Sequence, residues 1–182
     1  MLPDGYELRQ LSLDDVPALA AAYGRNRVHL APWDPQREER FFTEDGQRHD
    51  VVAKLEAARL GLQDPWLIHH GDEVVGRVNL NNIIRGVLQS ASVGYWTDAD
   101  HTGRGLATAA VGFAVDRARE LGLHRLEAGT LVDNTASQRV LKRCGFEQYG
   151  AAEDYLFIAG KWQDHNLYQR ILHDRPAGQP VP

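Results

Sequence analysis

Apolar and polar positions alternate with two different periods along this chain, and the switch between them marks out its elements. Residues 6–11 alternate as a first strand. Ser12 then precedes an apolar helical pattern that carries Asp14 and Asp15 in its first turn, as N-cap and dipole rules favour. Pro32 and Pro35 punctuate a loop over 29–43, Thr43 is placed to cap a long helix over 44–60, and Gly61 stops it. Short apolar runs at 66–69 and 74–81 flank Gly71-Asp72 and predict a hairpin whose tip carries the polar pair His69-His70; a third strand follows at 89–97. The period then becomes helical over 105–121: Leu106, Ala110, Phe113, Ala114, Ala118 and Leu121 share a face, and Asp116, Arg117, Arg119 and Glu120 lie opposite. A strand at 124–132, a short helix at 134–143 and two final strands at 146–158 and 162–172 complete the pattern.

The strand–helix–strand step over 89–132 calls for a right-handed crossover, so its two strands are expected to be parallel neighbours. The remaining strands are linked by hairpins. The expected class is mixed α/β: a mostly antiparallel sheet with one central parallel pair and helices on both faces. One domain over 1–173 is expected, with the Pro/Gly-rich residues 174–182 as a mobile tail.

Composition narrows the classes of function. Of 182 residues, 43% are apolar and 25% charged, which suits a globular core rather than a disordered chain. No apolar run approaches the ~20 residues that span a bilayer, and the first residues lack signal-peptide order, so the expectation is a cytoplasmic protein. The single cysteine, Cys144, excludes an internal disulfide and a zinc-finger cluster; it reads as a small core residue. No HExxH spacing occurs, and no metal is expected. A net charge of −5 argues against general nucleic-acid binding and is compatible with an amine-bearing substrate.

Two segments carry the candidate chemistry. Residues 101–108, HTGRGLAT, follow a strand and open a helix, where unpaired N–H groups and glycine backbone offer a phosphate site, or serve only as a turn. No Gly-Lys-Ser/Thr or full Gly-x-Gly-x-x-Gly is present. At 132–146, Asp133, Asn134 or Thr135 can cap the helix, and Thr135 with Gln138 has capping-box form. Asn134 and Ser137 alternatively face the mouth of the parallel pair, where ligands collect.

Together GYWTDADHTGRGLATAAV and NTASQRVLKRCGF resemble the Gcn5-related N-acetyltransferase (GNAT) superfamily, and within it the Rim-type ribosomal-protein N-alpha-acetyltransferases. HLAPWDPQREERFFT and GKWQDHNLYQRIL are similar to segments of the same group, so the resemblance covers nearly the whole chain. It implies a GNAT-like fold whose parallel pair splays to hold acetyl-CoA as cosubstrate. The diphosphate would lie on Gly103, Arg104, Gly105, Leu106, Ala107 and Thr108, although Thr102 departs from the family's usual Gln/Arg. The pantetheine arm would touch Trp96 and Thr97, and Asn134 and Ser137 match positions near the pantetheine and the CoA sulfur. Ser137 is then the candidate proton donor to the leaving thiolate. Glu153 or Asp154 is the candidate base, with Tyr155 an alternative acid. Trp33 either lines the substrate mouth or anchors its loop. The implied activity is acetyl transfer to a primary amine, with a protein N-terminal α-amino group of the ribosomal type as the leading acceptor. The alternatives are an amine-bearing small molecule or antibiotic, and a non-catalytic acetyl-CoA-binding module. The Rim-type group includes homodimers, and a homodimer is compatible with this reading.

Overall fold

A computed structural model of the chain describes residues 2–176. Residues 177–182, most of the expected mobile tail, lie outside the described residues. Among the described residues seven strands form one sheet in the order β1-β2-β3-β4-β5-β7-β6. They are β1 Tyr6–Gln10, β2 Asp64–His70, β3 Glu73–Ile84, β4 Ser90–Thr97, β5 Arg125–Leu131, β6 Glu147–Ile158 and β7 Lys161–Ile171. Among the described residues only β4 and β5 pair in parallel, as the crossover rule requires; every other neighbour is antiparallel. The helices are α1 Val16–Arg25, α2 Arg27–Leu30, α3 Glu44–Arg59, α4 Leu106–Glu120 and α5 Thr135–Arg143. The four-residue α2 runs into the start of the stretch expected as loop, over His29 and Leu30, and forms one turn before Pro32.

Two cores sandwich the sheet. On one face α4 buries Leu106, Ala110, Val111, Ala114, Val115 and Ala118 against Val78, Leu80, Ala91 and Val93 of β3 and β4. Phe113 and Leu121, expected on the same face, are only partly buried at its edge. On the other face α1 and α3 close over Leu67, Val74 and Trp96 through Leu19, Tyr23 and Val51. Cys144 is buried in the first core, and burial pushes its thiol up, consistent with a packing role.

The hairpin tip departs from expectation. His69 is not tip polarity: it is buried, its ring 3.6 Å from Asp15 Oδ1, and burial lowers its pKa. A bulge between Ile68 and His69 turns this ring inward, a shift that alternation alone does not reveal.

The parallel pairing is short. Ser90, Ala91 and Ser92 face Arg125, Leu126 and Glu127, and there it stops. β4 continues along β3 to Thr97, and β5 continues along β7 to Leu131. The sheet therefore opens into a gap between the carboxyl halves of β4 and β5, leaving strand-edge backbone groups in need of partners.

Candidate active site

A cleft of about 320 Å³ lies at this gap, bounded by the β4 end, the turn before α4 and the start of α5. Gly103 and Gly105 both have left-handed backbone, φ +75° and +81°, which a side chain would strain. A Cβ at either position would meet no protein atom within 4 Å, so the turn is open above its backbone. Gly105 is the N-cap of α4 and offers no capping side chain, whereas Thr43 and Asn134 cap α3 and α5. The first N–H groups of α4 are thus free for an anion, with the helix dipole behind them. Leu106, 1% exposed, pins the turn to the core; truncating such a side chain typically costs about 2–5 kcal/mol.

A buried network fixes the approach to this turn. Asp98, 2% exposed, accepts hydrogen bonds from Arg25 Nε and Asn26 Nδ2, both at 2.6 Å, and from the Asp100 amide at 3.0 Å. Asn26 Oδ1 in turn accepts from the Ala99 amide at 2.9 Å. Burial opposes ionisation of Asp98, but the bonds from Asn26 and Arg25 prevail and hold its carboxyl below the usual carboxylate range. The end of α1 is thereby latched to the segment that delivers Gly103. Sequence reasoning missed this latch, because its members lie 72 and 73 residues apart.

At the other wall, Tyr95 Oη and Ser137 Oγ are 2.7 Å apart, bridging β4 to α5. Burial pushes the Tyr95 phenol up to about 12, so it stays protonated and can donate to Ser137. The serine hydroxyl hydrogen is then free to point into the cleft. Asn134, expected as a ligand contact, is the α5 cap: its Oδ1 accepts from the Ser137 amide at 3.0 Å. It also lines the cleft, so cap and lining coexist, with Nδ2 left to donate. The capping box expected from Thr135 and Gln138 does not form; Gln138 Nε2 instead reaches the carbonyls of Val132 and Leu131.

The cleft brings together Trp96, Thr97, Gly103, Gly105, Leu106, Ala107, Thr108, Asn134 and Ser137, as the sequence reading expected. Arg104 is not among its lining residues. Its guanidinium turns aside to Tyr6 Oη at 3.1 Å and the Asp100 carbonyl at 3.2 Å, and Tyr6 Oη also meets His101 Nδ1 at 2.8 Å. Glu153 and Asp154 lie outside the lining as well. They are exposed on an irregular stretch of β6, where Asp154 has φ +45° and its amide donates to Asp164 Oδ1. Tyr155 is half-exposed and packs on His165. Tyr95, His29 and Arg143 also line the cleft. Only Tyr95 had a legible signal, its place in β4 one residue before Trp96.

Trp33 borders this cleft and a second cavity of about 340 Å³ on the α3 face. Trp96 borders both too, and its indole N–H donates to Tyr23 Oη at 3.1 Å. The gap thus has the turn on one side and a separate chamber on the other.

The chain is similar to known proteins over most of its length. A family model described as an acetyltransferase (GNAT) domain matches residues 6–147. A probable N-acetyltransferase of Bacillus subtilis, YjcK, is 36% identical over 167 residues, covering 88% of this chain and 90% of that protein. The [ribosomal protein uS5]-alanine N-acetyltransferase of Escherichia coli is 33% identical over 172 residues, covering 91% and 87%. The crystal structure of a ribosomal-protein-S5-alanine acetyltransferase from Vibrio fischeri superposes with a TM-score of 0.91 at 32% identity, over 97% of this chain and 98% of its own. Mycobacterium smegmatis RimJ in complex with CoA-disulfide gives 0.87 at 31% identity, over 91% and 81%.

Proposed function

This chain belongs to the GNAT acetyltransferase family, and from that premise we propose that it acetylates the α-amino group of a protein N-terminus, of the ribosomal-protein type, using acetyl-CoA. The observation that carries the reading is the gap beyond Ser92 and Glu127, with an uncapped glycine turn on one side and a second chamber on the other. The residues present fit the cosubstrate. The open backbone at Gly103 and Gly105 and the free N–H groups of Leu106, Ala107 and Thr108 suit a diphosphate. The unpaired edge of β4 suits an extended amide-bearing arm. Acetyl-CoA supplies the activated thioester.

The chain's own groups then have three tasks. Main-chain N–H groups at the free edge of β4, near Trp96 and Thr97, polarise the carbonyl under attack. As the C–S bond breaks, Ser137, held by Tyr95, passes its proton to the departing thiolate, and the proton shed by the acylated nitrogen restores the serine through solvent. Trp33 and Trp96 border the gap through which the amine approaches, so amine and carbonyl are positioned together.

The titratable side chains lining the cleft, among the described residues, are His29, Tyr95, His101 and Arg143. This set suits an acceptor that needs little help losing a proton. With a pKa of ~8, roughly a quarter of an α-amine is neutral at pH 7.5, against about 0.1% of a lysine at ~10.4. Incubating the protein with acetyl-CoA and peptides matching ribosomal-protein N-termini, with mass-spectrometric readout, tests the reading. Acetylation at the α-amine is expected; turnover of small amines with none of any peptide refutes the acceptor assignment.

A further inference from the structure

The chamber on the α3 face has a chemical character of its own. It is lined on the sheet side by Arg77, Asn79 and Asn81 of β3, and Lys54 enters from α3. Arg77 stands opposite Trp96 and Asn79 opposite Gly94, so this row runs beside the edge of the gap. Lys54 and Arg77 both approach the same carboxylate, Asp50, and Asp34 at the rim is paired with Arg37 at 3.0 Å. Of the charged side chains lining the chamber, two are cations, Lys54 and Arg77, and one is a carboxylate, Asp34; Asp50 sits behind the two cations and Arg37 beside Asp34. The Lys54 side chain is only 17% exposed and Arg77 18%, so an arriving anion meets both cations with little solvent screening. Burial, and then Arg77, lower the Lys54 pKa against the opposing pull of its Asp50 partner.

A second observation points to a ligand. Asn79 is 4% exposed and lines the chamber, yet its Oδ1 is buried without a hydrogen-bond partner among the described residues. The Oε1 of Gln63, on the same lining, is in the same condition. Buried carbonyl oxygens are normally paired, and these two call for N–H donors. A backbone carrying amide N–H groups, with a carboxylate close by, satisfies both demands at once.

We propose that this chamber selects acceptor peptides bearing an acidic side chain within the first few residues, with Lys54 and Arg77 receiving the carboxylate and Asn79 and Gln63 the peptide N–H groups. The inference rests on the protein N-terminus reading above. It follows from position: Trp33, Tyr95 and Trp96 are shared between cleft and chamber, so a group in the chamber belongs to residues close to the reacting amine.

The test uses the full chain, acetyl-CoA and alanine-initiated peptides amidated at the C-terminus, with Glu or Gln at positions two, three and four in turn. Glu should be favoured at one position by about tenfold or more in kcat/KM, expressed in KM, as one charge-assisted hydrogen bond allows. Arg77→Gln and Lys54→Met should each shrink that ratio to about threefold or less, and Arg77→Glu should invert it toward Lys-bearing peptides. Peptides acetylated with no Glu preference at any position would overturn this inference and leave the proposed function standing. So would a preference untouched by all three variants. Turnover of small amines with no peptide acetylated would overturn both.

Discussion

Replacing Ser137 by alanine separates its chemical role from its structural one, because the structure limits the folding cost. The Ser137 amide still donates to Asn134 Oδ1, so the α5 cap survives. Tyr95 Oη loses its 2.7 Å partner but keeps the Ser137 carbonyl at 3.3 Å as an alternative acceptor. Alanine is a better helix former than serine by roughly 0.5 kcal/mol. These effects nearly cancel, and stability should change by no more than about 1 kcal/mol. The catalytic loss should be larger. A hydrogen bond to a charged group contributes about 1.5–3 kcal/mol, and each 1.36 kcal/mol is tenfold in rate, so kcat should fall by roughly 10- to 150-fold. The thiolate charge develops only in the transition state, so the KM for acetyl-CoA should move little. Tyr95→Phe removes the bond that orients Ser137 and should lower kcat by about 3- to 10-fold, and the double variant should resemble Ser137→Ala alone. Steady-state release of CoA thiol, alongside thermal unfolding, reads all of these. A Ser137→Ala enzyme within twofold of the parent kcat, or a loss confined to KM, would refute the reasoning.

The other elements of the site make further expectations. Gly105→Val places a β-branched residue at φ +81° and a side chain over the open turn; calorimetry should show CoA affinity reduced at least tenfold, and unchanged affinity contradicts the diphosphate placement. Asn134→Ala should lose about 1 kcal/mol of stability with the cap, and Asn134→Asp should recover it; CoA affinity recovering equally would leave Nδ2 no role. Asp98→Ala strands Arg25 and Asn26 and should cost roughly 3–5 kcal/mol in denaturant unfolding. Asp98 has a depressed pKa in the fold, so its contribution is present above the unfolded carboxylate value of ~3.9 and is lost as pH falls through the lower folded value; the parent's acid-unfolding slope below pH 4 should flatten in Asp98→Asn. Tyr95 has a raised pKa, so its contribution is intact below pH ~10 and is lost as pH rises toward about 12, and Tyr95→Phe should remove that alkaline dependence.

Much of the architecture needed no tertiary information. Amphipathic period placed α4 to within a residue, because a helix that buries one face must repeat its apolar positions every three or four residues. The crossover from β4 through α4 to β5 dictated their parallel pairing, because the hand of the connection is fixed by chain chirality. The glycines at 103 and 105 marked the turn, since few other residues tolerate its backbone.

Other features depended on which distant atoms meet. The family resemblance implied a splayed parallel pair, but strand periodicity cannot say where two strands part company; the gap is placed after Ser92 and Glu127 because β3 and β7 hold their neighbours on diverging courses. The family resemblance placed Arg104 beside the diphosphate, but the Tyr6 hydroxyl, 98 residues away, draws its guanidinium aside. The family resemblance offered Glu153 or Asp154 as the base, but the irregular pairing of β6 with β7 leaves both exposed. The Asp98 latch and the chamber around Arg77 and Asn79 are assembled from elements far apart in the chain, and local pattern carries no record of such meetings. The sequence determined its elements because helix and strand preferences act over a few residues. Only the folded chain decided the site, because hydrogen bonds, burial and charge pairing act through space.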